Sequence, residues 1–168
     1  MVWLRRIGHF GGFGIQSPTD YRFVRYVINE SWPYYAYDEI SDEPDWIKRK
    51  LGRLYFRIAN EIQPYEVIDK VGVMNYVRAG CKKAKLVDDV DSVNEVQLAI
   101  VPISFGYDTL LNRCGEQSVV IFHDIYKQML LWHQIEHDPR VQISYDLYYC
   151  GIVFFDKKQS HHNYIVNF

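Results

Sequence analysis

Two polar residues that could do chemistry, His123 and Asp124, directly follow an unbroken apolar run at residues 119–122. A short run of this kind predicts a strand that is buried on both faces of a sheet. Proteins with α/β sheets bind their ligands at the carboxyl ends of such strands. An imidazole beside a carboxylate could act as an acid–base pair, although no nucleophile stands at the spacing of a known catalytic motif. We therefore expect any active site to lie near Asp124.

Other metal-ligating or reactive residues do not form a convincing site. His133 and His137 are four residues apart in a predicted helix, a spacing that could place both on one face beside a metal. No third ligand and no HExxH motif accompany them, so two surface histidines are the better interpretation. The three cysteines, Cys81, Cys114 and Cys150, are widely spaced, which favours reduced thiols over a disulfide framework or a zinc site. The sequence therefore predicts no metal site.

The composition is that of an ordinary globular protein. Of 168 residues, 48% are hydrophobic and 24% are charged, which suits one domain with a core. The net charge of −2 argues against a nucleic-acid partner, because binding phosphates requires clustered Lys and Arg. No apolar stretch approaches the ~20 residues that span a bilayer, so we expect no membrane partner and a cytoplasmic location. The fourteen tyrosines are more consistent with partly buried core positions than with a stacking platform.

The first third of the chain is predicted to be mainly helical. A glycine-rich loop at residues 8–18 leads into a helix that Ser17 caps and that ends near Glu30. The aromatic and acidic segment at residues 34–39 and the acidic residues up to Asp45 are predicted to form a surface loop.

The clearest helix is predicted at residues 47–62, where apolar residues form one stripe. Its other faces carry five basic residues, namely Lys48, Arg49, Lys50, Arg53 and Arg57. Such a surface could meet an anionic partner, but a solvated helix face is the simpler interpretation.

In the rest of the chain, short apolar runs alternate with helical segments. Strands are predicted near residues 66–69, 85–87, 98–101, 119–122, 141–147 and 151–155, with a last extended segment at 164–168, and helices over 73–81, 107–113 and 124–138. Gly115 is expected to end the second of these helices and Asp124 to cap the third. The alternation of strands and helices predicts a parallel sheet with right-handed crossovers.

The last two predicted strands form an exception to this parallel arrangement. Only residues 148–150 separate them, which is too short for a crossover, so they should pair antiparallel. The run at 141–147 alternates apolar and polar residues, as expected of a half-covered strand near a sheet edge.

This layout resembles that of class I, Rossmann-like S-adenosylmethionine-dependent methyltransferases. Five segments resemble the small bacterial O-methyltransferase-like branch of that family: GFGIQSP at 12–18 (GFGxHSP in the family), YYAYDE at 34–39, VIFHDI at 120–125, DPRV at 138–141 and GIVFF at 151–155. The resemblance implies an α/β fold with a mostly parallel, Rossmann-like sheet and a C-terminal antiparallel hairpin. Residues 1–63 would be an N-terminal helical extension and residues 64–168 the core of a single domain.

The resemblance also implies S-adenosylmethionine as the cofactor. In the family an acidic residue and a glycine-rich turn follow the first strand; here Asp69 and Gly72 remain, whereas Lys70 stands where the turn begins. A family carboxylate after the second strand holds the ribose hydroxyls, a role open to Asp88 or Asp89, which could equally be ordinary loop acids.

Near the predicted active site, Asp124 matches a family acid that orients substrate or binds a metal, while His123 replaces what is commonly another acid. Gln16 replaces a loop histidine of the family. The segment from Asp91 to Leu98 leaves no room for a helix and strand that the family carries. One wall of the cofactor cleft should therefore be missing, and the cofactor motif is degenerate.

Two hypotheses follow. The first is an S-adenosylmethionine-dependent methyltransferase-like protein that would methylate a small hydroxyl-bearing substrate, with its activity weakened or lost through the degenerate motif. Asp69, Gly72 and Asp88 or Asp89 would hold the cofactor. Asp124 and His123 would lie beside the substrate. The second is a non-catalytic binding or interaction module that keeps the fold, with a homodimer as one possible assembly. The shortened middle favours the second hypothesis for activity, and the matching ends favour the first for ancestry.

Overall fold

The computed structural model describes residues 15–40, 43–158 and 160–168. Most of the predicted glycine-rich loop at 8–18 and two residues of the predicted acidic loop, Ser41 and Asp42, lie outside the described residues. A search of the described helices finds none that is both long enough and apolar enough to cross a membrane.

Helices form the first part of the described chain. Helix α1 (Pro18–Phe23) begins where Ser17 Oγ accepts a hydrogen bond from the Asp20 N–H at 3.3 Å, as its cap residue predicts, and continues into a π-helical turn (Val24–Ile28). Helix α2 (Ala36–Glu39) occupies part of the segment predicted to be a loop, which is a correction. The long helix α3 (Trp46–Ile62) confirms the strongest prediction, and Asp45 caps its first turn.

The α/β class is confirmed by a sheet of seven strands among the described residues. The strands are β1 (Glu66–Asp69), β2 (Lys85–Val87), β3 (Val96–Pro102), β4 (Cys114–His123), β5 (Ile143–Asp146), β6 (Cys150–Phe154) and β7 (His162–Ile165). Their order is β2-β1-β3-β4-β6-β5-β7. The sheet is mostly parallel, and β6 is antiparallel to both β4 and β5, which gives the predicted C-terminal hairpin. The arrangement is that of a Rossmann-like fold.

Short connections join the parallel strands. Helix α4 (Met74–Gly80) links β1 to β2, and helix α5 (Tyr107–Leu111) links β3 to β4. Between β2 and β3 the chain forms only a 3₁₀ turn (Val90–Ser92), so β2 is an edge of the sheet, in line with the missing helix and strand. Gly115 was expected to end a helix, but it lies within β4, because that strand begins five residues earlier than the apolar run.

The chain after β4 differs from the prediction. Asp124 adopts a left-handed conformation (φ 62°) and caps no helix with its side chain; a 3₁₀ turn (Ile125–Lys127) precedes helix α6 (Met129–Glu136). At this point a hydrogen bond of 2.7 Å from the Asp124 N–H to the Tyr149 carbonyl joins the chain to the hairpin. A residue in this conformation cannot be the first cap of a helix, which needs extended backbone.

Two apolar layers cover the sheet. One packs α1, α3 and α4 against one face, with Val24, Leu54 and Val77 fully or almost fully buried. The other packs α5 and α6 against the opposite face, with Leu110 and Trp132 at its centre. The two-sided burial explains why β3 and β4 read as continuous apolar runs.

Strand β5 is buried along its whole length, whereas its alternating pattern predicted a half-covered strand. The difference arises because β7 pairs with it and becomes the edge strand. Tyr164 on β7 also donates a hydrogen bond of 2.9 Å from its hydroxyl to Asp20 Oδ2 on α1, so β7 is joined to the helical layer.

A substitution at Gly151 on β6 would test how tightly α6 packs against the sheet. A Cβ atom at this position would lie 2.3 Å from the buried Trp132 ring, so we expect Gly151→Ala to lower the free energy of unfolding by about 1–3 kcal/mol through overpacking. Urea unfolding measures the change. Gly106→Ala is the control, since its Cβ would meet nothing within 4 Å and should change stability by less than about 1 kcal/mol. Equal effects of the two substitutions would contradict this packing.

Candidate functional site

A cleft of about 560 Å³ opens at the carboxyl ends of β1 and β4. Helix α3 forms one wall with Lys48, Leu51 and Tyr55, and the turn after β1 forms another with Gly72. His123, the last residue of β4, contributes the polar group predicted at this position. The volume of the cleft is in the range of sites that bind small molecules, so the cleft is the candidate functional site.

Tyr55 and His123 are joined inside this cleft. The Tyr55 hydroxyl lies 2.6 Å from His123 Nδ1, although 68 residues separate the two in sequence. Burial raises the pKa of Tyr55 well above its ordinary value of 10, so the hydroxyl keeps its proton. Loss of solvation, opposed by the charge of Asp124, lowers the pKa of His123 from its ordinary value of 6.5. At neutral pH a protonated phenol therefore faces a neutral imidazole.

These protonation states fix which nitrogen of His123 carries the proton. The Tyr55 hydroxyl donates, so Nδ1 accepts, and the proton of the neutral ring lies on Nε2. Nε2 is 3.5 Å from Asp124 Oδ1, and Asp124 Oδ2 is 2.5 Å from Lys127 Nζ. The four side chains form a chain of polar contacts that runs from the buried helix to the surface, and they leave His123 without a free lone pair.

The turn after β1 is closed by Asp69. Its Oδ1 accepts hydrogen bonds from the N–H groups of Val71 and Gly72 at 2.9 and 2.8 Å, and its Oδ2 accepts one from the Val73 N–H at 2.6 Å. Gly72 has a φ of 85°, which suits glycine, and Val71 is spared this conformation. The acid and the glycine that the sequence retained thus stabilise the turn together.

Lys70 spans the ends of two strands. Its Nζ donates a hydrogen bond to the main-chain carbonyl of Asp88, which follows β2. The Asp89 carboxylate accepts a hydrogen bond from the Asp91 N–H and caps the 3₁₀ turn. Both acids after β2 are exposed, and neither lines the cleft.

The structure brings only part of the predicted site together. Gly72 and His123 line the cleft, Asp124 adjoins His123, and Asp69 lies in the turn that borders it. Sequence reasoning missed Tyr55, because helical spacing places this residue in the apolar stripe predicted for residues 47–62. The signal that could have found it is a hydroxyl within a stripe that must pack against the polar end of a strand.

His133 and His137 both contact residues of α6. His133 Nδ1 is 2.5 Å from Glu136 Oε1, and His137 Nδ1 is 2.8 Å from the His133 carbonyl. Within the part of the chain that the structure describes, no group of three or more His, Cys, Asp or Glu residues could hold a metal ion.

Comparisons with known proteins give little beyond the fold. No protein-family model matches the chain, and no curated protein sequence does. Among solved structures, the chain is similar to the SAH-bound methyltransferase PaMTH1 of Podospora anserina, with a TM-score of 0.47 and 11% identity, over 85% of this chain and 97% of that one. The class that the fold defines is a Rossmann-like α/β protein with a mostly parallel sheet and a C-terminal antiparallel hairpin.

The closed turn gives a test of what Asp69 does. Asp69→Ala removes the acceptor of three main-chain N–H groups, so we expect it to lower the free energy of unfolding by about 1–2 kcal/mol. Urea unfolding measures the loss. The control is Asp88→Ala, an exposed acid on the neighbouring loop, which should change stability by less than about 0.5 kcal/mol. A loss of the same size in both variants would contradict a structural role for Asp69.

The partly buried imidazole of His123 predicts a pH dependence of stability. The pKa of His123 is lower in the folded state than in the unfolded state. As the pH falls below about 7, the unfolded chain therefore binds more protons than the folded chain does. The free energy of unfolding should then fall from pH 7 downward until the folded-state pKa is passed, by about 1.4 kcal/mol for each unit by which the pKa is lowered.

Urea unfolding of His123→Gln at pH 7 and pH 5 measures this contribution. The variant should lose less stability than the parent protein between the two pH values, whereas His162→Gln, at an exposed position, should keep the parent's dependence. An unchanged pH dependence in His123→Gln would show that the imidazole is not buried as described.

Proposed function

We propose that this protein is a non-catalytic binding module with a methyltransferase-like fold, whose cleft between α3 and the ends of β1 and β4 takes a small molecule. The observation that carries the proposal is the closed turn after β1. Its three N–H groups are bonded to Asp69, so they are not free to bind a ligand in the cleft.

The residues present do not fit S-adenosylmethionine. In α/β sheets, ligands at the strand ends are held by free main-chain N–H groups and by glycines that allow close approach. Here the N–H groups are occupied, and the Lys70 side chain crosses from the end of β1 to the Asp88 carbonyl. Asp88 and Asp89 lie outside the cleft, so a carboxylate for the ribose hydroxyls is displaced from it.

The protonation pattern at the end of β4 also argues against catalysis. A general base needs an available lone pair within reach of the substrate proton. The acceptor nitrogen of His123 is bonded to Tyr55, and its other nitrogen carries a proton toward Asp124. Proton abstraction by His123 would require breaking its hydrogen bond to Tyr55.

A second candidate function is methyl transfer to a small hydroxyl-bearing substrate. One observation favours it: Gly72, with its positive φ, and His123 line the same cleft, as a cofactor turn and an acid–base residue would. In this case the Asp69 turn would have to open and the Lys70 contact would have to break when the cofactor binds.

Titration calorimetry with S-adenosylmethionine and S-adenosylhomocysteine distinguishes the two functions. We expect no binding heat for either ligand up to millimolar concentration, and no rise in melting temperature, since a ligand that binds the folded state must raise it. Circular dichroism and cooperative urea unfolding establish that the sample is folded. A micromolar Kd for either ligand would overturn the proposal and restore the methyltransferase hypothesis.

A further inference from the structure

A second cavity, of about 490 Å³, lies on the other side of helix α3 from the cleft. Its walls are the π-helical turn, α3 and the segment 167–168. Four basic side chains line it: Arg49, Lys50, Arg53 and Arg57. The sequence suggested that these residues form a solvated helix face. In the structure they line a concave surface, where the four cations lie around one cavity.

Arg57 is the deepest of the four cations. It is 7% exposed and donates hydrogen bonds to the carbonyls of Val27 at 2.6 Å and Ile28 at 2.9 Å, and to the Tyr37 hydroxyl at 3.0 Å. All three acceptors are neutral. A guanidinium has five N–H donors, so among the described residues the charge of Arg57 and part of its donor capacity remain unmatched. A buried charge without a counter-charge is costly, which makes an anion beside it favourable.

The neighbouring cations are held over aromatic rings. Lys50 Nζ lies 4.4 Å from the centre of the Phe168 ring, and the Arg53 guanidinium lies 4.7 Å from the centre of the Tyr37 ring. Partial loss of solvation, followed by repulsion from Arg57, lowers the pKa of Lys50. These contacts position the side chains but do not neutralise them.

Among the described residues, acidic groups do not balance this charge, and none of the four cations forms an ion pair with a carboxylate. Glu30 is an acid in the lining, and its Oε1 already accepts hydrogen bonds from the N–H groups of Ser31 and Trp32. The described lining therefore carries more positive than negative charge.

One further group suits a ligand in this cavity. Trp46, 59% exposed, lies in the lining and offers an aromatic face. An exposed indole is a common stacking surface for planar rings.

We propose that this cavity binds a small phosphorylated molecule of the mononucleotide class. The phosphate would lie between the guanidinium groups of Arg49, Arg53 and Arg57, which bind phosphate oxygens through paired N–H groups. The base would stack on Trp46. The cavity volume lies in the range for ligands of this size. The inference is independent of the proposed function, because it concerns a different cavity.

Titration calorimetry with the whole chain tests this site, with inorganic phosphate, adenosine 5′-monophosphate and unphosphorylated adenosine as probes. We expect the monophosphate to bind more tightly than phosphate and adenosine not to bind. Arg53→Gln should weaken monophosphate binding about tenfold or more, because it removes charge-assisted hydrogen bonds. Arg78→Gln, which removes an exposed cation on α4, should leave the Kd unchanged. Quenching of tryptophan fluorescence that is lost in Trp46→Phe provides a second signal.

Four outcomes would overturn the proposal. They are no binding of either phosphate-bearing probe, equal affinity for adenosine and its monophosphate, equal losses in Arg53→Gln and Arg78→Gln, and binding of a single-stranded RNA that the monophosphate does not displace. The last would indicate an extended anionic partner instead of a small ligand. Melting curves of both Arg variants establish that changes in Kd do not come from unfolding.

Discussion

The packing of helix α3 against the sheet is the interaction on which the rest of the structure depends. Leu51, Leu54 and Ile58 are almost wholly buried on the face that meets β1 and β3. Burial of each such side chain contributes about 1.5–3 kcal/mol relative to exposure, so the stripe fixes the rotation of the helix about its axis. Once that rotation is fixed, the direction of every other side chain on α3 is fixed too.

The two cavities follow from that rotation. Lys48, Leu51 and Tyr55, spaced by three and four residues, share the face that lines the cleft beside β1 and β4. Arg49, Arg53 and Arg57, spaced by four, share the face that lines the basic cavity. One apolar stripe therefore separates two polar environments, and each contains a buried polar group from α3: the Tyr55 hydroxyl and the Arg57 guanidinium. A helix that packed in another register would lose both sites at once.

Much of the fold could be predicted from local sequence patterns. The apolar runs of β1, β3 and β4 predict buried strands, and the apolar stripe of α3 predicts a helix. The antiparallel hairpin followed from a connection of three residues. What could not be predicted depends on contacts between distant segments. The pairing of β7 with β5 buries a strand whose own pattern looked half-exposed. The contact of Tyr55 with His123 joins residues 68 positions apart. Burial of Arg57 depends on carbonyls of the π-helical turn, which no periodicity in α3 reveals.

The short edge of the sheet at β2 explains how the fold is stable without the open cofactor turn that the sequence led us to consider. The apolar contacts that hold the sheet lie between β1, β3, β4 and β6, and they do not need a further strand beyond β2. Strand β2 has three residues, with Lys85 and Leu86 exposed, and a short edge strand that carries a charge resists unwanted pairing. In the turn after β1, the Asp69 carboxylate is hydrogen-bonded to three N–H groups of its own turn, and Lys70 reaches the Asp88 carbonyl. The sheet thus supports a closed, stable turn at the end of β1.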